Sequence, residues 1–228
     1  MNQLSFLNVL APGAHQQARL PHEPVQFILR SHQAVFQILN LARQHLRPRQ
    51  IAERTWVIEG AVADFTPANG CNIINTGFIA TGAGVLVINT GPSKLYGEQL
   101  RALIERATRE PIVQVLHLNL HPDYFLGNQA FADVPRRATA ATRAGMQREA
   151  KSYEDNLYRL CGDWMAGTQA LLPQQDVAPG PLRIGAREFE LRELAGHTAS
   201  DLVLIDKTSG VMFAGGLVFH QRLPTTPH

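Results

Sequence analysis

The chain has 228 residues, of which 45% are hydrophobic and 18% charged, and its formal net charge at pH 7 is +2. This length suffices for one large domain with a buried core, and the balanced charge gives no reason to expect nucleic acid or an anionic membrane as partner. No apolar stretch approaches the roughly 20 residues that a membrane-spanning helix needs. The N-terminus has no Lys or Arg before Arg19 and no unbroken apolar run, so a signal peptide is not supported.

An amphipathic helix is predicted near the N-terminus, after a polar arm. Pro24 suits a first helical turn and Pro48 ends the pattern. Between them, apolar residues recur at helical spacing: Ile28, Val35, Ile38, Leu39, Ala42 and Leu46. We therefore assign residues 1–50 to an arm with an extra helix and residues 51–228 to the main domain.

The first half of the main domain combines a β-meander with one helix. The meander has strands at Trp56–Ile58, Ile73–Ala80 and Val85–Ile88, and Gly82-Ala83-Gly84 forms a turn. A helix is then predicted from Lys94 to Thr108, with a buried face formed by Leu95, Leu100, Leu103 and Ile104.

The second half begins with a strand at residues 112–117, a short helix at Phe125–Phe131 and a long helix at Ala140–Met165. Four further strands follow in the last third: Leu182–Ile184, Glu188–Leu194, Leu202–Ile205 and Val211–Phe213. Because strands and helices do not alternate regularly, the pattern favours an α+β sandwich over a doubly wound sheet.

The two cysteines, Cys71 and Cys161, do not form a disulfide framework, and neither lies in a Cys-x-x-Cys pair. We expect both to be buried thiols. A bridge or a functional thiol is the alternative.

Polar side chains concentrate between Leu116 and Asn128, where a β-branched strand ends. Strand ends are positions at which a rigid sheet presents side chains to a cleft. The segment resembles the metal-binding loop of the metallo-β-lactamase superfamily, His-x-His-x-Asp-His followed by Gly-Asn. His121 and Asp123 match this pattern, whereas Asn119 and Tyr124 stand at the positions of its first and last His.

Four more landmarks resemble the same superfamily in the same order: Val87–Gly91, Ala195–Thr198 with His197, Asp201–Leu204, and Met212–Phe219. Asn89 and Gly216 replace Asp residues of the family pattern in the first and last of these. Other stretches resemble one branch, the zinc metallohydrolases associated with quinoprotein dehydrogenase systems: Asn75–Ile79, Gly91–Ser93, Gly127–Phe131 and Pro224–His228.

The resemblance implies an αββα sandwich and a hydrolase that acts on a small-molecule substrate. Family members continue beyond residue 228, so we expect the sandwich to be incomplete at the C-terminus. Its zinc ions would activate a water molecule for attack on a carbonyl or phosphoryl centre, with Asp123 in the catalytic role. The branch is largely periplasmic, so the resemblance suggests that compartment, which the N-terminus does not support.

The donor set departs from what two zinc ions require. The first site would use Asn119, His121 and His197, but an amide oxygen is a poor zinc ligand. The second would use Asp123, Tyr124 and Gly216; glycine offers no ligand, and a phenol must lose its proton to bind well.

Two other histidines are candidate compensating ligands. His117 shares strand parity with Asn119, and His220 lies four residues beyond Gly216. Asp123 has a structural alternative as a cap for the helix at Phe125.

Two functions remain open. The first is a metallo-β-lactamase-fold hydrolase with a degenerate zinc site and weak or absent turnover. The alternative is a catalytically inactive relative that acts as a binding or vestigial protein. An incomplete sandwich would also expose a sheet edge, through which the chain could form a homodimer.

Overall fold

The computed structural model describes residues 46–221 and residue 223 of the chain. Seven strands form one sheet in sequence order: β1 (Arg49–Ala52), β2 (Thr55–Ile58), β3 (Thr76–Ala80), β4 (Val85–Ile88), β5 (Ile112–Leu116), β6 (Arg136–Ala138) and β7 (Gln175–Asp176). The strands β1 to β4 pair antiparallel, and β4 to β7 pair parallel. A second, antiparallel sheet has the order β11-β10-β9-β8. Its strands are β8 (Gly180–Ile184), β9 (Arg187–Leu194), β10 (Asp201–Asp206) and β11 (Met212–Phe213).

Three α-helices lie in the described residues: α1 (Lys94–Ala107), α2 (Pro122–Phe125) and α3 (Ala140–Cys161). Short 3-10 helices cover Pro67–Asn69, Leu126–Phe131, Gly162–Met165 and Gly215–Leu217. The helix α1 begins after Ser93 because the Ser93 side chain accepts a hydrogen bond from the Tyr96 backbone N–H.

Alternation along β4 places the core on both faces of the first sheet. Val85 and Val87 pack in a buried cluster with Leu100 and Ile104 of α1. Leu86 and Ile88 point the other way, into a second cluster. There they meet residues of the second sheet: Phe189, Leu191, Leu202, Leu204 and Phe213. The two sheets therefore pack face to face, which confirms the predicted α+β sandwich.

Most predicted elements are present, and the differences have local causes. The long helix ends at Cys161 rather than Met165, because Gly162 adopts φ of 56° and a 3-10 turn follows. The short helix starts at Pro122, and residues 126–131 form a 3-10 helix instead of continuing it. Leu95 is half-buried, and Tyr96 takes its place on the buried face of α1.

The expectation of two buried thiols is wrong. Cys71 and Cys161 form a disulfide across 90 residues of chain, with 6.1 Å between their Cα atoms. It joins the β2–β3 loop to the end of α3, inside a buried cluster with Leu120, Phe125 and Leu126. Their sequence spacing carried no sign of this pairing, because the fold alone brings the two segments together.

The predicted N-terminal helix, apart from Leu46, lies outside the described residues. Within residues 46–221 and 223, no helix has the length and apolar character needed to cross a membrane.

Candidate functional site

The His121 loop leaves the first sheet at the end of β5 and enters α2. His121 is the residue before the first turn of α2, and Pro122 occupies the first helical position. The Asn119 side chain accepts a hydrogen bond from the His121 backbone N–H at 2.9 Å. This contact is the local turn that asparagine commonly forms, so Asn119 shapes the loop that presents His121.

The Leu118 peptide groups tie this loop to both sheets. Asn89, just past β4, adopts a left-handed backbone with φ of 58°, and its side-chain oxygen accepts from the Leu118 N–H at 3.0 Å. The Leu118 carbonyl in turn accepts from the Leu202 N–H at 2.7 Å. Because Leu202 lies in β10 directly after the His197 loop, this pair of bonds fixes the distance between the His121 loop and the His197 side of the site.

The Gly-Asn that follows the loop has a steric role. The Gly127 N–H donates to the Gly91 carbonyl at 3.0 Å, and a Cβ at position 127 would lie 2.1 Å from the Thr90 carbonyl oxygen. A Cβ at Gly97 would similarly lie 2.3 Å from the Gly127 oxygen. Asn128 accepts from the Thr90 hydroxyl at 2.9 Å. Through these contacts, the backbones of α1, the turn after β4 and the segment after the His121 loop touch each other directly, which only glycine allows at positions 97 and 127.

One buried carboxylate organises the His197 loop. Asp201 accepts hydrogen bonds from the backbone N–H groups of His197 at 2.9 Å and Thr198 at 2.7 Å, and from the Thr198 hydroxyl at 3.0 Å. The neighbouring Ser200 hydroxyl lies 2.7 Å from that of Thr139, whose side chain also caps the start of α3. The loop that carries His197 is therefore fixed to β10 and to α3 by polar contacts.

These two loops bring His121 and His197 into direct contact. The His197 Nε2 and His121 Nδ1 atoms are 2.9 Å apart, and the two rings meet edge to face with centroids 4.6 Å apart. Aromatic rings flank the pair. The ring centroid of Phe219 lies 5.5 Å from that of His197, and the ring centroid of Tyr153 lies 6.5 Å from that of His121. His197 is buried and His121 is half-buried.

The next two residues of the motif are buried in the first turns after His121. Asp123 is 3% and Tyr124 is 4% exposed. Burial raises the pKa of the Tyr124 phenol well above its ordinary value, and the carboxylates of Asp123 and Asp201 raise it further. Deprotonation of this phenol is therefore strongly disfavoured. The residue that precedes α2 as its cap is His121, so Asp123 does not take the capping role.

The two candidate compensating histidines lie in different environments. His117 is fully buried, and its Nδ1 lies 3.1 Å from the Tyr124 carbonyl oxygen, so Nδ1 carries the proton. Burial, with a smaller contribution from the positive Arg136, lowers the pKa of His117 to about 3. His220 is exposed, beyond the Gly215–Leu217 turn.

The described residues bring two imidazoles together, where a structural zinc site has four ligands and a catalytic one at least three from the protein. Among residues 46–221 and 223, no group of three or more His, Cys, Asp or Glu side chains is placed to hold a metal. Two imidazoles on one tetrahedral zinc would have their nitrogens about 3.3 Å apart, with both lone pairs aimed at the ion. Here the two nitrogens are 2.9 Å apart and point at each other.

Three residues that support the histidine pair were given no role in the site by the sequence. Asp201 was noted only as the start of a landmark segment, and nothing in the sequence showed that its side chain would accept from the His197 backbone N–H. Tyr153 and Phe219 contact the histidines through packing of distant segments, for which no local sequence signal exists.

The fold is that of the metallo-β-lactamases. The metallo-β-lactamase IND-7 superposes with a TM-score of 0.60 at 19% identity, over 81% of this chain and 77% of that one. A metallo-β-lactamase from Pontibacter korlensis gives 0.58 at 19% identity, over 80% and 77%. A β-lactamase domain protein from Burkholderia ambifaria gives 0.55 at 17%, over 75% and 54%. No protein-family model matches this sequence, and a search of curated proteins found no significant match.

Proposed function

From the metallo-β-lactamase fold of this chain, we propose that it is a hydrolase-type protein with a degenerate metal site at His121 and His197. In this proposal the site holds at most one zinc ion, weakly, and turnover through metal-activated water is weak or absent. The fold supports the hydrolase class, because the solved structures that share it include metallo-β-lactamases. The substrate is a small molecule of unknown class.

The contact between the two histidines carries this proposal. The two ring nitrogens lie 2.9 Å apart, so without a metal one can donate a hydrogen bond to the other, and zinc would compete with that bond. Asn119, at the position of a further ligand, is engaged through its side-chain oxygen with the His121 backbone. Tyr124 is held in its neutral form by burial and by two nearby carboxylates. Zinc would have to displace contacts that the folded chain already satisfies.

The finer assignment, to the zinc metallohydrolases associated with quinoprotein dehydrogenases, is part of the same proposal. It rests on the stretches Asn75–Ile79 and Gly127–Phe131. A buried disulfide between Cys71 and Cys161 supports a location in an oxidising compartment such as the periplasm, since disulfides persist mainly in such compartments.

We also propose that a second copy of the chain can pair with the edge of the second sheet. The edge strand β11 has two residues, and Met212 in it is 55% exposed. An exposed sheet edge with an apolar side chain is a site at which another chain can add a strand.

Metal content measured on full-length protein tests the main proposal. The protein is purified without a histidine tag, its zinc is counted by mass spectrometry, and zinc is then titrated by calorimetry. We expect well under one zinc per chain as purified and a dissociation constant weaker than about 1 μM. Hydrolysis of a chromogenic cephalosporin, a thioester and a phosphodiester is then assayed with and without added zinc.

A His121→Ala/His197→Ala variant is the matched control, because it removes both ring donors and leaves the loop backbones in place. Zinc-dependent hydrolysis that this variant loses would support the hydrolase. Weak zinc binding without hydrolysis would leave the inactive binding protein. Two tightly held zinc ions in the wild-type chain would contradict the degenerate site.

A further inference from the structure

The buried glycine Gly216 lies directly beneath the His197 ring. A Cβ built at this position would be 2.1 Å from Cδ2, 2.6 Å from Cγ and 2.9 Å from Nε2 of that ring. Real side chains do not approach so closely, so the ring and any side chain at position 216 exclude each other. The backbone of Gly216 has an ordinary φ, so the conflict at this position is with the present orientation of the His197 ring and not with the backbone conformation.

The His197 ring is bounded on its other sides as well. Its Nε2 faces His121 at 2.9 Å, and the Phe219 ring packs against it at 5.5 Å. The backbone of His197 is fixed by its hydrogen bond to Asp201. A side chain at position 216 would therefore push the ring out of this place and away from its contact with His121.

We propose that Gly216 is the positioning residue that holds His197 in its contact with His121. Any side chain at this position turns the ring away and breaks the contact between the two histidines. This inference rests on the proposed function in one respect only, which is that the contact between the two histidines competes with zinc binding. The resemblance expects a metal-bridging Asp at this position. The glycine found there therefore accounts for two features at once, which are the missing carboxylate and the contact between His197 and His121.

A double-mutant cycle tests the steric coupling. Gly216→Ala is made in the wild-type chain and in a His197→Ala variant, and the stability of all four proteins is measured by urea denaturation. We expect Gly216→Ala to lower the folding equilibrium constant at least tenfold when His197 is present, and less than threefold when it is replaced by Ala. Equal effects in both backgrounds would overturn the inference. If Gly216→Ala folds only in the His197→Ala background, the coupling is supported directly.

The control for position is Gly196→Ala in the same loop region. Gly196 also has an ordinary φ, but a Cβ there would meet only the end of the Leu217 side chain, at 2.7 Å. This flexible side chain can move aside, so we expect Gly196→Ala to leave the histidine pair intact and to show no coupling to His197→Ala.

The orientation of the ring is read in metal-free protein by long-range ¹H–¹⁵N spectra of the histidine side chains. In the wild-type chain, the His197 Nε2 and His121 Nδ1 signals should report one shared hydrogen bond, assigned by its loss in His121→Gln. Gly216→Ala should abolish that signature and Gly196→Ala should keep it. Persistence of the signature in Gly216→Ala would contradict the inference.

A zinc titration of Gly216→Asp separates this inference from the proposed function. We expect at least tenfold tighter zinc binding than in the wild-type chain, because the competing contact between the two histidines is broken and a carboxylate ligand is added. Tight zinc in the wild-type chain would refute the degenerate site, whereas the spectra of metal-free protein would still decide the role of Gly216.

Discussion

Apolar packing and a disulfide support the His121 side of the candidate site, whereas hydrogen bonds to one carboxylate support the His197 side. Behind His121, the side chains of Leu120, Phe125 and Leu126 pack in a buried cluster with Cys71 and Cys161. Around His197, the loop backbone is held by Asp201, and Ser200 links it to the start of α3.

This difference predicts which kind of change should lower the stability of each side. Apolar burial and a covalent link depend little on charge, so the His121 side should respond mainly to changes in packing and oxidation, with the buried His117 as its titratable group. A network that depends on one buried carboxylate should respond to the loss of a single acceptor. A backbone hydrogen bond from Leu202 to Leu118 joins the two sides. Because this is a single bond, we expect a substitution on one side to change the stability of the other side only in part.

Removal of the disulfide should have the largest effect. Replacement of Cys71 and Cys161 by Ser opens a loop of about 90 residues and should lower the free energy of unfolding by about 4 kcal/mol. Hydrogen exchange should then increase at residues 118–126 and at the end of α3, while β10 keeps its protection. Wild-type protein refolded in the presence of a dithiol reductant serves as the control and should behave like the double variant. Equal loss of protection in β10 would contradict the separation of the two sides.

Asp201→Asn should have the next largest effect, and on the other side. The amide can replace only part of the acceptor capacity that serves His197 and Thr198, so we expect a loss of about 2 kcal/mol in the free energy of unfolding. Amide exchange at His197 and Thr198 should rise while β5 stays protected. Asp176→Asn, at an exposed ion pair with Arg143, is the matched control and should cost under ~1 kcal/mol. A similar cost for both variants would show that the Asp201 network contributes little.

The most gradual effect is a pH dependence that arises on the His121 side and is spread over several pH units. The pKa of His117 is lowered to about 3 in the folded chain, against about 6.5 when unfolded. Between these values the unfolded chain binds the proton and the folded chain does not, so stability falls as the pH falls. The slope from His117 should approach 1.4 kcal/mol per pH unit between about pH 6 and 4.

Urea denaturation as a function of pH checks this slope. His117→Asn keeps a donor for the Tyr124 carbonyl but does not titrate, so the slope should decrease by about 1 kcal/mol per pH unit in this variant. An unchanged slope in His117→Asn would show that other groups account for the acid sensitivity.

Much of the fold was predictable because apolar patterns and caps act locally. The apolar run at Val85–Ile88 and the capping Ser93 before α1 are examples. The strands β6 and β7 were not predicted, because they are short and polar and become strands only by pairing with neighbours in the sheet. Arg136 of β6 is even buried, where it donates to two backbone carbonyls, and no periodicity could indicate this.

The candidate site was predictable only in part. The resemblance placed His121 and His197 in one site, and the structure brings them together. It could not reveal that the rings contact each other, since this depends on the space left by Gly216. The pairing of Cys71 with Cys161 was missed for a similar reason, because it depends on where the β2–β3 loop meets the end of α3.

The close backbone contact between Gly97 and Gly127 has a consequence for tracing the ancestry of this fold. A side chain at either glycine would force two backbones apart. Sequences that share this loop are therefore better sought by the spacing of the two glycines than by their metal donors. A distant relative could have exchanged every donor and still carry this pair.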